Sequence, residues 1–409
     1  MTGLRMSGRR TTMIGALLTA IGPISMAVYT PAMPELVHAF TTTESAVKMT
    51  LSVYFGGFAL AQLVAGPMSD AFGRRKAALG FLLIYLAGSL IAVLAPSIEW
   101  LIAGRLVQGI GASVGVTVSR AMVRDAFVGA EASRIVNAIG IVLAIGPAAA
   151  PTIGGLSLAA FGWQSIFYLM VGFGVSSCIV VVLFMRETAI PDRTRARPGR
   201  FAKAYFELAA EPRFLAASLV LGGSVGALYA QSTMLPFILI RHVGLSPLQF
   251  GMGMLMQTGF YFLGSVALRL VATSIGGHRA VSIGLCLMAA GATMIAMSAQ
   301  FIEPRFLSIM LPVSFCSFGL AFVIPHITTV GLFPFPHIAG AASALMGFIQ
   351  MGAGFVAGLC AAKIGEPLAA FGVIIPAMEF AAVLGYLWFL RASRQADIRA
   401  ARIALQAGE

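Results

Sequence analysis

The chain has 409 residues, of which 59% are hydrophobic and 10% charged, against about 25% charged in a water-soluble domain. With a mean hydropathy of +0.92, too little polar surface remains to clothe a globule of this size, which excludes the soluble, disordered, collagenous and coiled-coil classes. The net charge of +12 would suggest nucleic acid in a soluble protein, so the placement of the charges has to decide.

A membrane-spanning helix needs about 20 apolar residues. Suitable runs fall at about 12–34, 49–69, 77–95, 99–121, 134–158 and 164–185, and again at about 213–237, 247–272, 279–299, 304–331, 338–362 and 368–390. They do not alternate polar and apolar residues as β-barrel spans do, so each is read as a helix that satisfies its own backbone hydrogen bonds. Arg5, Arg9 and Arg10 precede the first run as in a signal peptide, but the run continues through Pro23 to Pro34. That exceeds the short apolar core of a leader, and the segment is expected to persist as the first span. Between the sixth and seventh runs, Arg186 to Pro212 is polar and punctuated by proline. The pattern predicts an all-α membrane protein with twelve transmembrane helices in two six-helix bundles, residues 1–187 and 213–409, joined by a linker over 188–212.

The cationic residues sort by side. With the N-terminus inside, 22 of the 27 Lys and Arg fall on inner segments, including Arg74, Arg75, Lys76, Arg120, Arg124 and Arg134, the linker's Arg193, Arg195, Arg197 and Arg200, and the tail's Arg399 and Arg402. Lys48, Arg241, Arg305 and Lys363 fall outside, and Arg105 lies within a span. The positive-inside rule then predicts cytoplasmic N- and C-termini. The basic balance is a topology signal, and no nucleic-acid partner is expected. Cys178, Cys286, Cys316 and Cys360 sit in apolar stretches without close pairs or metal-ligand spacing, which suits buried free thiols and no metal site.

Along the chain, Gly66, Asp70, Gly73, Arg74 and Arg75 form a tight turn between the second and third spans, where glycine allows positive φ and aspartate caps a helix or pairs with arginine. After the eighth span, Arg269 to Arg279 carries a basic glycine turn in the equivalent place, without the aspartate, as expected of degenerate repeats. In the fourth span, Arg105 is costly in hydrocarbon unless paired or facing water. It is expected to turn inward, near Gln108, and to bond polar atoms or carbonyls of the first span. The glycines that follow it, Gly109 and Gly111, follow no strand and read as close helix packing. The fifth span carries Gly146, Pro147, Pro151, Gly154 and Gly155, in which the prolines kink the helix. Among the acids, Glu379 alone lies mid-span, which makes it a coupling candidate by default. His326 titrates near neutrality in a span expected to line a cavity. Tyr29, Tyr54, Tyr229, Gln231, Gln257, Tyr261 and Gln350 are the remaining candidates for holding substrate, because aromatic and amide groups hold amphipathic ligands without a fixed charge.

The Gly66–Lys76 turn contains a complete G-x-x-x-D-x-x-G-R-[RK] pattern, and in it the chain resembles the major facilitator superfamily (its motif A). The Arg105–Ala112 stretch is similar to motif B. Gly146–Gly155 is similar to motif C of drug:proton antiporters, with Asn137 and Ala150 where glycines are expected. Gly22–Pro34, Met49–Gln62, Gly319–Pro325 and Ala339–Gln350 resemble the bicyclomycin/chloramphenicol exporter group (Bcr/CflA). By that resemblance Asp70 latches onto the start of the eleventh span near Phe335–Gly340. The group's usual first-span aspartate is Ala27 here, and the asparagine after the tenth-span proline is His326.

The resemblance implies a multidrug or small-amphiphile efflux transporter of the bacterial inner membrane, working by alternating access and powered by the proton gradient, with no cofactor. Its partners would be the lipid bilayer and a small amphipathic substrate, and it would act as a monomer. Since Ala27 removes the usual proton site, a metabolite exporter or an uncoupled uniporter is the alternative, and a transport-dead receptor or scaffold a remote one. An enzyme is not expected, for want of a catalytic cluster. Arg105 and His326 are expected to make the cavity less acidic and to favour neutral or anionic amphiphiles.

Overall fold

The computed structural model describes residues 6–189, 191–192 and 198–406, and the side chains of all of these but 144, 198, 200, 201 and 397–406. Arg5, Arg193, Arg195 and Arg197 lie outside the described residues, as do the side chains of Arg200, Arg399 and Arg402.

Among the described residues twelve helices have the length and apolarity to cross a membrane: Gly8–Ala39, Glu44–Phe72, Arg74–Val93, Ile98–Ala126, Gly129–Phe161, Gln164–Phe184, Pro212–Gln231, Pro247–Ile275, Gly277–Phe301, Phe306–Leu332, Pro336–Ile364 and Pro367–Ala396. They coincide with the twelve expected runs, but several overshoot them. The fourth extends from the expected 99–121 to Ile98–Ala126, and the fifth from 134–158 to Gly129–Phe161. Apolarity marks where hydrocarbon ends, whereas a helix continues while its backbone bonds do, so polar turns such as Arg124–Ala126 belong to the helix and not to the run. The first span is broken near Pro31, where a 3₁₀ turn over Thr30–Ala32 joins Gly8–Ala27 to Met33–Ala39; proline removes a backbone donor and forces the break.

Helix contacts divide into two sets. In the N-terminal half the first span packs on the fourth and fifth, the fourth on the second and third, and the third on the sixth. In the C-terminal half the seventh packs on the tenth, eleventh and twelfth, the last contact heavier than its first–sixth counterpart, the tenth packs on the eighth and ninth, and the ninth on the twelfth. The two halves meet chiefly through the second span on the eleventh and the fifth on the eighth. Adding six to each span number turns one set into the other and exchanges the two interface pairs, as a two-fold repeat requires.

The fourth span is the hub of its half because its glycines admit backbones. A Cβ on Gly109 would collide with the Tyr54 carbonyl, and one on Gly111 with the Tyr85 amide. In the N-terminal half a large apolar core around Tyr29, Phe55 and Met185 is joined by a small one around Val123 and Ile139. The C-terminal half has two, one around Phe214, Met346 and Phe389 and one around Met234, Phe250 and Phe371.

The linker is not bare chain. Helix Pro198–Ala209 packs on the seventh and eleventh spans, and the Tyr205 hydroxyl donates to the Leu63 carbonyl of the second span at 2.6 Å. Burial pushes that hydroxyl up to about 12, which keeps it a donor.

Candidate functional site

The Arg74–Lys76 turn, the start of the first span, the linker helix and the part of the twelfth helix near Ser393 share one face of the bundle, here the basic face. The two faces differ in how the halves meet. On the opposite face Arg241 pairs with Glu44, the buried Lys48 ammonium donates to the Gly365 carbonyl at 2.6 Å, and the Ser45 hydroxyl donates to the Ala362 carbonyl at 2.7 Å. Backbones also touch there. A Cβ on Gly155 would lie 2.5 Å from the Pro247 carbonyl oxygen, and one on Gly251 2.5 Å from that of Pro151. Toward the basic face, the side-chain hydrogen bond between the halves among the described residues is Arg120 to the Ser343 hydroxyl, 2.8 Å.

Between the halves lies a cavity of about 500 Å³. Its N-terminal wall comes from Ala27, Thr30, Phe58, Gln62, Arg120 and the kink residues Pro147 and Pro151; its C-terminal wall comes from Tyr229, Phe250, Gln257, Tyr261, Ser343, Met346 and Gln350. Two amides in the wall carry an unpaired buried atom, Gln62 Oε1 and Gln257 Nε2, each available to a ligand. A larger cavity, about 900 Å³, lies among spans one, five and six, with Ile145, Ile153, Phe161 and Tyr168 exposed along it. One half alone builds it, so relative motion of the halves cannot expose it to alternate sides. The cavity between the halves is therefore the candidate site.

Of the residues named from sequence, Tyr229, Gln257, Tyr261 and Gln350 line this cavity; Tyr29, Tyr54 and Gln231 do not. Arg105 is fully buried inside the N-terminal half, its guanidinium 4.4 Å from the ring centres of both Tyr29 and Tyr54. It donates to Gln108 and lies 3.7 Å from the Met170 sulfur, while its Nε and Nη2 find no acceptor. Bonds to the first span's polar atoms were expected. The first span instead offers the Tyr29 ring, and the Tyr54 hydroxyl takes the Gly22 carbonyl at 2.9 Å. Rings satisfy a cation without an anion, and they hold Arg105 away from the cavity.

His326 is also displaced from its expected position on the cavity wall. Its ring packs edge-on to His278 at 4.8 Å, against Gly277 at the start of the ninth span, because glycine there leaves space for it. Glu379 is 3% exposed within the C-terminal half, and its Oε2 has no hydrogen-bond partner.

At the second turn Gly73 has φ +94°, a conformation glycine tolerates. The Glu187 carboxylate occupies the volume of its missing Cβ and accepts from the Arg74 amide at 2.7 Å and the Arg75 amide at 3.2 Å, capping the third span's N-terminus. Arg74 bonds Asp70 and Asp125 at 2.9 Å. Arg74 therefore ties spans two, three and four, and Asp70 is engaged within its own half. The start of the eleventh span, its expected partner, is met instead by Glu207 of the linker helix through His337 at 2.9 Å. Glu187, Asp125 and Glu207 were missed from sequence. Acid residues near basic turns were the available signal, but pairings between distant segments are not encoded in spacing.

A profile described as Major Facilitator Superfamily matches residues 15–358. The chain is 28% identical to the MFS-type transporter YdgK of Bacillus subtilis over 346 residues, covering 82% of this chain and 84% of that one. It is 25% identical to multidrug resistance protein D of Escherichia coli over 372 residues (91% and 93%). It is also 27% identical to a chloramphenicol resistance protein of Pseudomonas aeruginosa over 356 residues (83% and 81%). Among solved structures, a bacterial homologue of the human lysosomal transporter Spinster superposes with a TM-score of 0.68 at 14% identity, covering 94% of this chain and 96% of that one.

Proposed function

The chain belongs to the Major Facilitator Superfamily, a multi-pass membrane transporter, and from that premise we propose that it exports small amphipathic molecules across the bacterial inner membrane by proton-coupled antiport. The observation that carries this reading is the cavity between the halves, tied shut on one face by Glu44–Arg241, Lys48–Gly365 and Gly155–Pro247 and bounded toward the other by Arg120 and Ser343. With the basic face in the cytoplasm, as the positive-inside rule requires, this is an inward-facing state that receives substrate from the cytoplasm. Rocking of the halves then opens the rim between spans five and eight and closes the basic face, bringing Asp70, paired with Arg74 in this state, toward the eleventh span. The wall, rich in apolar, aromatic and amide groups, suits amphiphiles.

Proton coupling is assigned to Glu379. A carboxylate in hydrocarbon is tolerated when protonated or partnered, and Glu379 Oε2 has no protein partner. Its ionisation then requires a rearrangement of the C-terminal half, which is how a proton would drive the cycle. One observation favours a second reading, an uncoupled uniporter: the cavity wall carries Ala27 where the resembling group carries a carboxylate.

Drug susceptibility of a pump-deleted host tests the export reading. Expression of the wild-type chain should raise tolerance to amphipathic drugs, and Asp70→Asn should remove the gain at equal protein level. Unchanged tolerance across chemically diverse amphiphiles would reject export.

A further inference from the structure

Among the described residues Arg120 is the single charged side chain on the wall of the cavity between the halves, and it is exposed there. Among the described residues no carboxylate lies within ion-pair distance of it, and its one hydrogen bond goes to the neutral Ser343 hydroxyl. The cation is thus not there to pair with an acid of the protein. A guanidinium presents five donors in a planar fork, and a single bond to one hydroxyl leaves most of that fork unused. Arg120 is exposed at the open edge of the cavity with the apolar wall on one side, so its attraction for an anion is screened less than in bulk water, and a two-oxygen group on a ligand fits the fork bidentately.

Resting on the export reading above, we propose that Arg120 is the anion-binding residue of the cavity and that the preferred substrates are amphiphiles carrying one carboxylate or sulfonate. The anion takes the face of the fork turned to the cavity and competes with Ser343. The apolar body lies against Phe58, Tyr229 and Met346, which share the wall, and the orphaned amide Nε2 of Gln257 takes a further acceptor. Organic cations are disfavoured, since the wall holds no acid to receive them.

The full chain in lipid nanodiscs tests this with two fluorescent probes of the same aromatic body, anionic 8-anilinonaphthalene-1-sulfonate and neutral N-phenyl-1-naphthylamine, each corrected for partition into empty nanodiscs. The sulfonate should bind the wild-type protein about tenfold or more tighter than the neutral probe, the scale of a charge-assisted bidentate pair. Arg120→Gln should abolish that preference while changing neutral-probe affinity by less than about twofold, which also shows the cavity intact. Arg120→Lys, keeping the charge but not the fork, should retain part of it. A preference that survives in Arg120→Gln, or equal weakening of both probes, overturns the inference. Neutral-probe binding without sulfonate preference in the wild type overturns the inference and leaves the export reading standing. Binding of neither probe overturns both.

Discussion

At Gly73 the backbone turns with φ +94° and the Glu187 carboxylate fills the space a Cβ would need. Gly73→Ala therefore combines backbone strain with expulsion of the carboxylate that caps the third span. A loss of about 1–3 kcal/mol follows from the strain alone, seen as a lower thermal-unfolding midpoint of the purified protein; an unchanged midpoint would refute the capping role of Glu187. Arg105 is a different case. Its cation has two aromatic faces and no anion, and replacing a buried charge by a well-packed apolar side chain is often neutral. Arg105→Met should leave stability within about 1 kcal/mol of wild type, whereas Arg105→Ala, which opens a cavity, should cost about 2–5 kcal/mol; equal losses would mean the charge itself holds the helices. These two residues also mark how far sequence reaches. The turn was readable because Gly73 and Asp70 act within ten residues, as was Gln108 three residues from Arg105, whereas Tyr29, Tyr54 and Met170 come from three other spans and no spacing rule names them.

At the scale of elements, spans were legible because hydrocarbon imposes length and apolarity on each helix independently of its neighbours. Placement within the bundle was not, because the helices are apolar nearly all round and faces cannot be told apart by periodicity. Sequence thus points His326 to the cavity, whereas it packs on His278, and marks Arg120 only as an inner-side cation at the end of the fourth run, although it lines the cavity. The fifth and eighth spans carry the moving joint of the account. Since a Cβ on Gly251 would lie 2.5 Å from the Pro151 carbonyl oxygen, Gly251→Leu should hold these spans apart on the face opposite the basic one. Spin labels at His38 and Gln249, one on each half, should report a longer distance than in the parent, with transport lost and the folded fraction retained. An unchanged distance would show that the contact does not close that face.

For the molecule as a whole, the sequence already implied two repeats, and the exchange of contacts between spans two and eleven and spans five and eight gives that repeat its mechanical meaning: one pair of crossings supports the halves while they rock. What composition left open is the coupling. The chain has 15 acids, the first span offers Ala27 where the resembling exporters have an aspartate, and Glu379 is the acid buried in the interior among the described residues. The decisive measurement is uptake of radiolabelled chloramphenicol into proteoliposomes under an imposed pH gradient, acidic inside, with wild-type protein and Glu379→Gln. Under proton antiport through Glu379 the gradient drives accumulation above the equilibrium level, a protonophore collapses it, and Glu379→Gln equilibrates the drug without accumulating it. Wild-type uptake that stops at equilibrium whatever the gradient would contradict antiport, and full accumulation by Glu379→Gln would contradict the assignment of the proton to that carboxylate.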